Sequence, residues 1–84
     1  MCYASAICSG NAAYVAAQHG GTLPTDPLVL ERYFAARTGR CTSSRYLGEG
    51  QRDGTMLFVF MLHNGDGDNW WIVTTEGGKV VRVD

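Results

Sequence analysis

The feature that most constrains the fold of this 84-residue chain is its C-terminal third, where apolar segments alternate with short turns. Residues 55–62 form one continuous apolar run, which is typical of a central strand covered on both faces. Two turns follow, at residues 64–68 and 76–78, and each contains glycine. Strands are therefore predicted at 57–62, 70–75 and 80–83, and this order favours an antiparallel meander.

Two helices are predicted before these strands. The alanine-rich residues 3–17 favour a helix that is buried at the centre of the fold, and Gly20 and Gly21 end it. Asp26 and Pro27 are typical of an N-cap and a first helical position, so a second helix is expected over residues 28–37.

Residues 40–54 are polar and rich in serine and glycine. They predict an irregular connection, with one short strand around residues 45–47. The chain length favours one domain, 1–84. The predicted class is α+β, with two helices packed on a three- to four-stranded antiparallel sheet.

Composition excludes several kinds of partner. The formal net charge is −1 and no basic run is present, which argues against nucleic acid. No apolar run approaches the ~20 residues of a membrane-spanning helix, and the N-terminus lacks the features of a signal peptide. The predictions are therefore no nucleic acid, no membrane and a cytoplasmic location.

The three cysteines could serve in a disulfide or in a metal site. Cys2 and Cys8 are six residues apart, so within one helix they face different directions and cannot pair. A reduced, intracellular protein is the simplest interpretation, with Cys8 as a small buried apolar side chain. No CxxC or HxxxH spacing occurs, so neither zinc nor any other cofactor is predicted. Residues 64–69 also resemble the start of a calcium loop, although a hairpin turn alone demands the same residue types.

A cysteine at a helix start, followed by small residues, resembles the first motif of papain-like cysteine hydrolases. The variants that it most resembles are bacteriocin-processing peptidases and the papain-fold domains of bacterial polymorphic toxins. The order of the helix at 29–37, the apolar strand, the glycine-rich loop and the hairpin ending at Asp84 is similar to theirs. The resemblance implies a minimal papain-like arrangement, with Cys2 as nucleophile and Asp84 as the residue that orients the histidine.

The chain departs from that pattern at two positions. The resemblance assigns the histidine to Asn69, and asparagine cannot accept the thiol proton. The glutamine that supplies an oxyanion donor in these families has no counterpart. The nearest imidazole is His63, which is expected to face Asn69 across the hairpin.

Trp70 and Trp71 are adjacent, so in a strand they point to opposite faces. One packs in the core, and the other needs a cover from an element, a ligand or a partner. Two functions follow. The first is a catalytically degenerate papain-like domain that binds another protein or peptide through either tryptophan, as an inhibitor or adaptor of phage or toxin-system origin. The alternative is an active cysteine hydrolase or acyl-transfer enzyme for peptide or amide bonds, with Cys2, His63 and Asp84 as the working set.

Overall fold

The computed structural model describes residues 2–39 and 41–84 and shows an α+β fold, as predicted. Three helices precede a four-stranded antiparallel sheet in which the strands lie in sequence order. The elements are α1 (Tyr3–Ser9), α2 (Ala12–Gln18), α3 (Pro27–Arg37), β1 (Cys41–Arg52), β2 (Thr55–Asn64), β3 (Gly67–Glu76) and β4 (Lys79–Val83).

The predicted helix over residues 3–17 is two helices instead of one. Gly10 adopts a left-handed conformation, with φ of 76°, and ends α1. Its N–H donates to Ile7 O at 3.1 Å, and the next N–H, of Asn11, donates to Ala6 O at 2.8 Å. These bonds satisfy carbonyls that the ended helix leaves free. The chain therefore turns at Gly10, and α2 packs against α1.

The start of α3 agrees with the prediction. The Asp26 carboxylate accepts the Leu28 N–H at 2.9 Å, and Pro27 occupies the first turn. Thr38 caps the other end, where its hydroxyl donates to Phe34 O at 2.8 Å. This helix carries Leu30 and Phe34 into the core.

The three predicted strands are confirmed as β2, β3 and β4, but the irregular connection at 40–54 is wrong. Residues 41–52 form the longest strand, and residue 40 lies outside the described residues. Asp53 and Gly54 both have positive φ, 51° and 81°, as the two central residues of a tight hairpin turn require. The Asp-Gly pair is a sequence signal for a hairpin. It was missed because the strand before it, β1, is rich in serine and glycine and does not have the composition of a strand. Pairing with β2 overrides the weak strand propensity of serine and glycine.

The helices cover one face of the sheet, here called the inner face. Phe60 and Leu62 of β2, with Trp71 and Val73 of β3, lie there and are buried. The alternate residues of β2 point to the opposite side, the outer face, where Leu57 remains 42% exposed. The expectation that the apolar run is covered on both faces is therefore wrong.

A disulfide joins Cys8, near the end of α1, to Cys41 at the start of β1. The interpretation of all three cysteines as reduced, with Cys8 as an ordinary apolar side chain, is wrong. Cys2 is the free cysteine and is exposed. The bond closes a loop over a sequence separation of 33 residues and fastens α1 to the first strand. Among the described residues, no helix is long and apolar enough to cross a membrane.

Candidate functional site

Cys2 lies immediately before α1 and caps it. Its sulfur accepts the Ser5 N–H at 3.4 Å, and the Ser5 hydroxyl lies 3.1 Å from the same sulfur. The pKa of the Cys2 thiol is lowered, first by the Ser5 hydroxyl and then by the Ser5 N–H, because both stabilise the thiolate. Slight burial opposes this effect. The thiol is thus exposed, and it ionises to its nucleophilic form more readily than an ordinary cysteine because its pKa is lowered.

The Cys2 side chain borders a largely apolar cavity of about 230 Å³ on the inner face. Ser44 and Tyr46 of β1 form one side of the cavity, and Phe58 and Phe60 of β2 form its floor. Neither the two phenylalanine rings nor the Ser44 hydroxyl is a proton acceptor of the strength that acyl-transfer chemistry needs. The cavity therefore offers a thiol and apolar walls, without a general base.

His63 lies on the other face of the sheet. Along β2 it alternates with the inward-pointing Phe60 and Leu62, so its ring points outward. Its Nδ1 hydrogen-bonds to Asp68, which is directly opposite on β3. The expected pairing with Asn69 is wrong by one residue. Cys2 and His63 stand on opposite faces of the sheet and are not brought together.

Asn69 is on the inner face, opposite Leu62, and its amide donates to Arg37 O at 2.9 Å. Asp84 pairs with Ile72 through two backbone hydrogen bonds, which places its side chain on the outer face. That carboxylate accepts from Arg82 Nε at 2.7 Å. Asn69 and Asp84 therefore lie on opposite faces, and no hydrogen bond between them is formed in the described structure.

The other imidazole, His19, is buried beside α1. Its Nδ1 lies 2.7 Å from Pro24 O, so this nitrogen carries the proton and donates. Its Nε2 lies 2.6 Å from the Tyr3 hydroxyl, which then donates to it. Burial raises the pKa of Tyr3 well above its ordinary value. Both ring nitrogens are thus engaged in holding α1 to the segment before α3, and neither is free to serve Cys2.

The tryptophan pair behaves as the strand geometry predicts. Trp71 is fully buried on the inner face and stacks on Phe60, with ring centroids 6.0 Å apart. Trp70 points the other way and is 62% exposed. Because Trp71 is in the core and Trp70 is in solvent, only Trp70 of this pair is available for contact with another molecule.

Trp70 belongs to a contiguous apolar group at the centre of the outer face. Met61 is directly opposite Trp70, and Val59 is directly opposite Ile72. Leu57, two residues before Val59, extends the apolar group along β2. Trp70, Ile72 and Leu57 are all more than 40% exposed. The sequence signal for this face is a large apolar residue at every second position of two neighbouring strands. The continuous apolar run at 55–62 masked this signal, because the residues of both faces of β2 are apolar there.

The border of the apolar group differs between its two edges. On β1 the residues opposite Val59 and Leu57 are Gly48 and Gly50, so the edge is flat. At the other edge the corresponding residues are Arg82 of β4 and Asp84, which follows β4, and they stand up from the sheet as an ion pair. The residues of the outer face, in chain order, are Ser43, Arg45, Gly48, Gly50, Arg52, Thr55, Leu57, Val59, Met61, His63, Asp68, Trp70, Ile72, Thr74, Glu76, Arg82 and Asp84.

The turn between β2 and β3 has a structural role. The Asn64 amide donates to Thr38 O, while its oxygen accepts the Asp66 N–H at 2.9 Å. The calcium-loop alternative would require these groups to be free for an ion. Across the described chain, no cluster of three or more His, Cys, Asp or Glu residues could hold a metal.

No protein-family model matches this sequence, and no curated protein or solved structure is similar to it.

Proposed function

We propose that this chain is a non-catalytic protein-binding domain, an inhibitor or adaptor, that binds another protein or peptide through the outer face of its sheet. The observation that carries this proposal is the 62% exposure of Trp70 within a contiguous apolar group on the outer face. Large exposed apolar groups on soluble domains mark interaction sites, and tryptophan is among the residues that dominate interface energetics.

The surroundings of Trp70 fit an interface anchor. Met61 and Ile72 flank it and provide apolar contact area, and Arg45 opposite Met61 adds a charge at the border. In the described structure Arg45 forms no ion pair, so its guanidinium is available to a partner. An apolar centre with a polar border is the usual organisation of protein interfaces.

A degenerate papain-like ancestry is part of the proposal. It is supported by a cysteine that caps a helix packed on the sheet, as in that family's first motif. Loss of activity is supported by Asn69, whose amide is committed to Arg37 O, and by the separation of Cys2 from His63 by the sheet.

The cytoplasmic location stays a prediction. The Cys8–Cys41 disulfide counts against it, because disulfides are rare in reducing compartments.

A cysteine hydrolase is the second candidate function. The lowered pKa of Cys2 and the apolar cavity beside it favour a reactive thiol. What this candidate lacks is a proton acceptor, and it therefore ranks below the binding domain.

The experiment that tests the binding proposal is site-specific photo-crosslinking in the cells that produce the chain. A photoreactive amino acid at position 72 should yield an adduct with a partner, and Trp70→Ala should reduce the yield at least ~10-fold, as expected for an anchor residue. The same amino acid at Leu28, 67% exposed on α3, is the matched control. Equal yields at 72 and 28, or no dependence on Trp70, would refute the proposal.

A further inference from the structure

We infer that the outer face binds a second copy of this chain, with the two sheets packed face to face about a two-fold axis parallel to the strands. This inference rests on the proposed function and names the partner. It is carried by the arrangement of the outer-face residues, which matches itself under this operation.

The operation places β1 over β4 and β2 over β3 of the second copy. Because the axis runs along the strands, each row of side chains meets the same row of the other copy. Trp70 of one copy then lies over Met61 of the second, and Val59 lies over Ile72 of the second. Contacts between a methionine sulfur and an aromatic ring are favourable. The apolar centres coincide without a shift in register.

The two edges of the face fit each other in shape. Asp84 and Arg82, which stand up from the edge formed by β4 and the residue after it, meet Gly48 and Gly50 on β1 of the second copy. A Cβ added at Gly50 would meet no atom within 4 Å, so the space above this residue is open. Glycine inside a strand weakens the strand, and it often marks a place where another chain approaches closely. This fit in shape explains why Gly48 and Gly50, at alternate positions of the longest strand, carry no side chain.

Charge agrees with the same arrangement. His63 of one copy lies over Asp68 of the second, and the reverse contact is equivalent. Arg45 lies next to the row that carries Asp84 of the second copy, so these opposite charges are neighbours. Lys79 would bring a like charge near Arg52 at the end of the face, but its ammonium donates to Ala17 O, on the helix side, at 2.9 Å.

The size of the face places the dimer at the small end of protein interfaces. Four strands about 4.8 Å apart and five rows about 6.7 Å apart project to roughly 500 Å². Protruding side chains such as Trp70 add to this, yet the total does not exceed the ~800 Å² per partner of a standard interface. We therefore expect a weak, reversible dimer with a dissociation constant on the order of 10 μM. A heterologous partner of the same face would displace the second copy.

Sedimentation velocity between about 5 and 500 μM measures the dimer directly, since this range brackets the expected dissociation constant. The 9.1 kDa chain should approach twice that mass at the upper end. Gly50→Arg should weaken the dimer at least ~10-fold, because the new side chain fills the space of Arg82 of the second copy with a like charge. Gly50 has an ordinary φ and open space, so this variant should fold.

Two further variants make the test specific to this register. Gln51→Arg adds the same charge to the same strand at an exposed position opposite Met56, on the inner face, and should leave the dimer unchanged. Combining Gly50→Arg with Arg82→Glu should restore association to within about threefold, since opposite charges then meet. A monomer at all concentrations, or an equal effect of the substitutions at 50 and 51, would overturn the inference.

Failure of the second-copy inference and failure of the binding proposal give different results. If sedimentation shows only monomer but position 72 still crosslinks to another protein, the face binds a heterologous partner and only the second-copy inference falls. If position 72 gives no adduct but the chain sediments as a dimer that Gly50→Arg weakens, only the binding of another protein falls. If position 72 gives no adduct and sedimentation shows only monomer, both proposals fall.

Discussion

The guanidinium of Arg37 lies over the ring of Trp71, with Cζ 3.6 Å from the ring centroid. The same group donates to Trp70 O at 2.8 Å and to Asp84 O at 2.5 Å. One side chain at the end of α3 therefore covers the central ring of the core and joins the backbones of β3 and of Asp84, the residue after β4. The attachment holds the backbone of β3 at Trp70, because the Trp70 carbonyl is one of the acceptors.

Replacing Arg37 tests that attachment. Arg37→Ala should lower the free energy of unfolding by about 2–3 kcal/mol, since it removes charge-assisted hydrogen bonds and a cation–π contact. Arg37→Lys should recover less than half of the loss, because an ammonium cannot reproduce the planar fork. Urea denaturation monitored by tryptophan fluorescence gives both values. If the lysine variant equals the wild type, charge alone would account for the contact.

The Cys8–Cys41 disulfide should be a major contribution to stability. Cys8→Ser releases a loop spanning 33 residues and should cost about 3–4 kcal/mol by chain entropy. A reductant should produce the same change in the wild type and none in the variant. Cys2→Ser is the matched control, because Cys2 is exposed and unpaired, and it should change stability by less than about 0.5 kcal/mol. Equal stability of oxidised and reduced wild type would contradict the prediction.

Tyr3→Phe should destabilise the fold at neutral pH. The variant leaves buried His19 Nε2 without a partner, which costs about 1–3 kcal/mol. Tyr46→Phe, at a 58% exposed position of β1, is a control with the same chemical change. Thermal denaturation at pH 7 compares them, and the prediction fails if the two variants lose the same amount.

Tyr3 also predicts a dependence on alkaline pH. Burial raises its pKa in the folded chain, whereas the unfolded chain ionises near the ordinary value of about 10. The stabilisation from Tyr3 is therefore complete below pH 10 and is lost as pH rises through the folded pKa. The stability difference between wild type and Tyr3→Phe should shrink by about 1.4 kcal/mol per pH unit above pH 10. A constant difference between pH 9 and about pH 11 would show that Tyr3 ionises equally in both states.

The reactivity of Cys2 separates the two candidate functions. Because Ser5 lowers the pKa of the thiol, Ser5→Ala should slow alkylation by iodoacetamide at pH 7 several-fold and leave the rate above pH 10 unchanged. Labelling without reductant reports Cys2 alone, since the other two cysteines are bonded to each other.

Asn69→His is the informative companion variant. Asn69 lies four residues, or about 13 Å, along β3 from Val73, which borders the Cys2 cavity, and Trp71 lies between them. A histidine there should not change the alkylation rate. An increase of ~10² or more, the range of general-base assistance, would favour the hydrolase and require the papain-like geometry to form.

Local chemistry determined much of this fold from the sequence. The Asp26 cap, the turn residues at 64–68 and 76–78 and the apolar periodicity of the last three strands act over a few residues, so their signals are complete within short segments. The opposite orientation of Trp70 and Trp71 follows from strand geometry alone. The break at Gly10 and the Asp53-Gly54 turn were also local signals, but the alanine content and the polar composition around them concealed both.

Only the tertiary structure decided which residues meet. Whether β1 exists depends on its pairing with β2, and the Cys8–Cys41 bond depends on where that pairing places Cys41. A shift of one residue in register exchanges the faces of a strand, so the separation of Cys2 from His63 and the isolation of Asn69 from Asp84 cannot be read from spacing. The outer face has the same origin, because Trp70, Met61 and Arg45 become neighbours only through the register of three strands. Contacts between distant segments are set by the free energy of the whole packed chain, and no short segment of the sequence contains them.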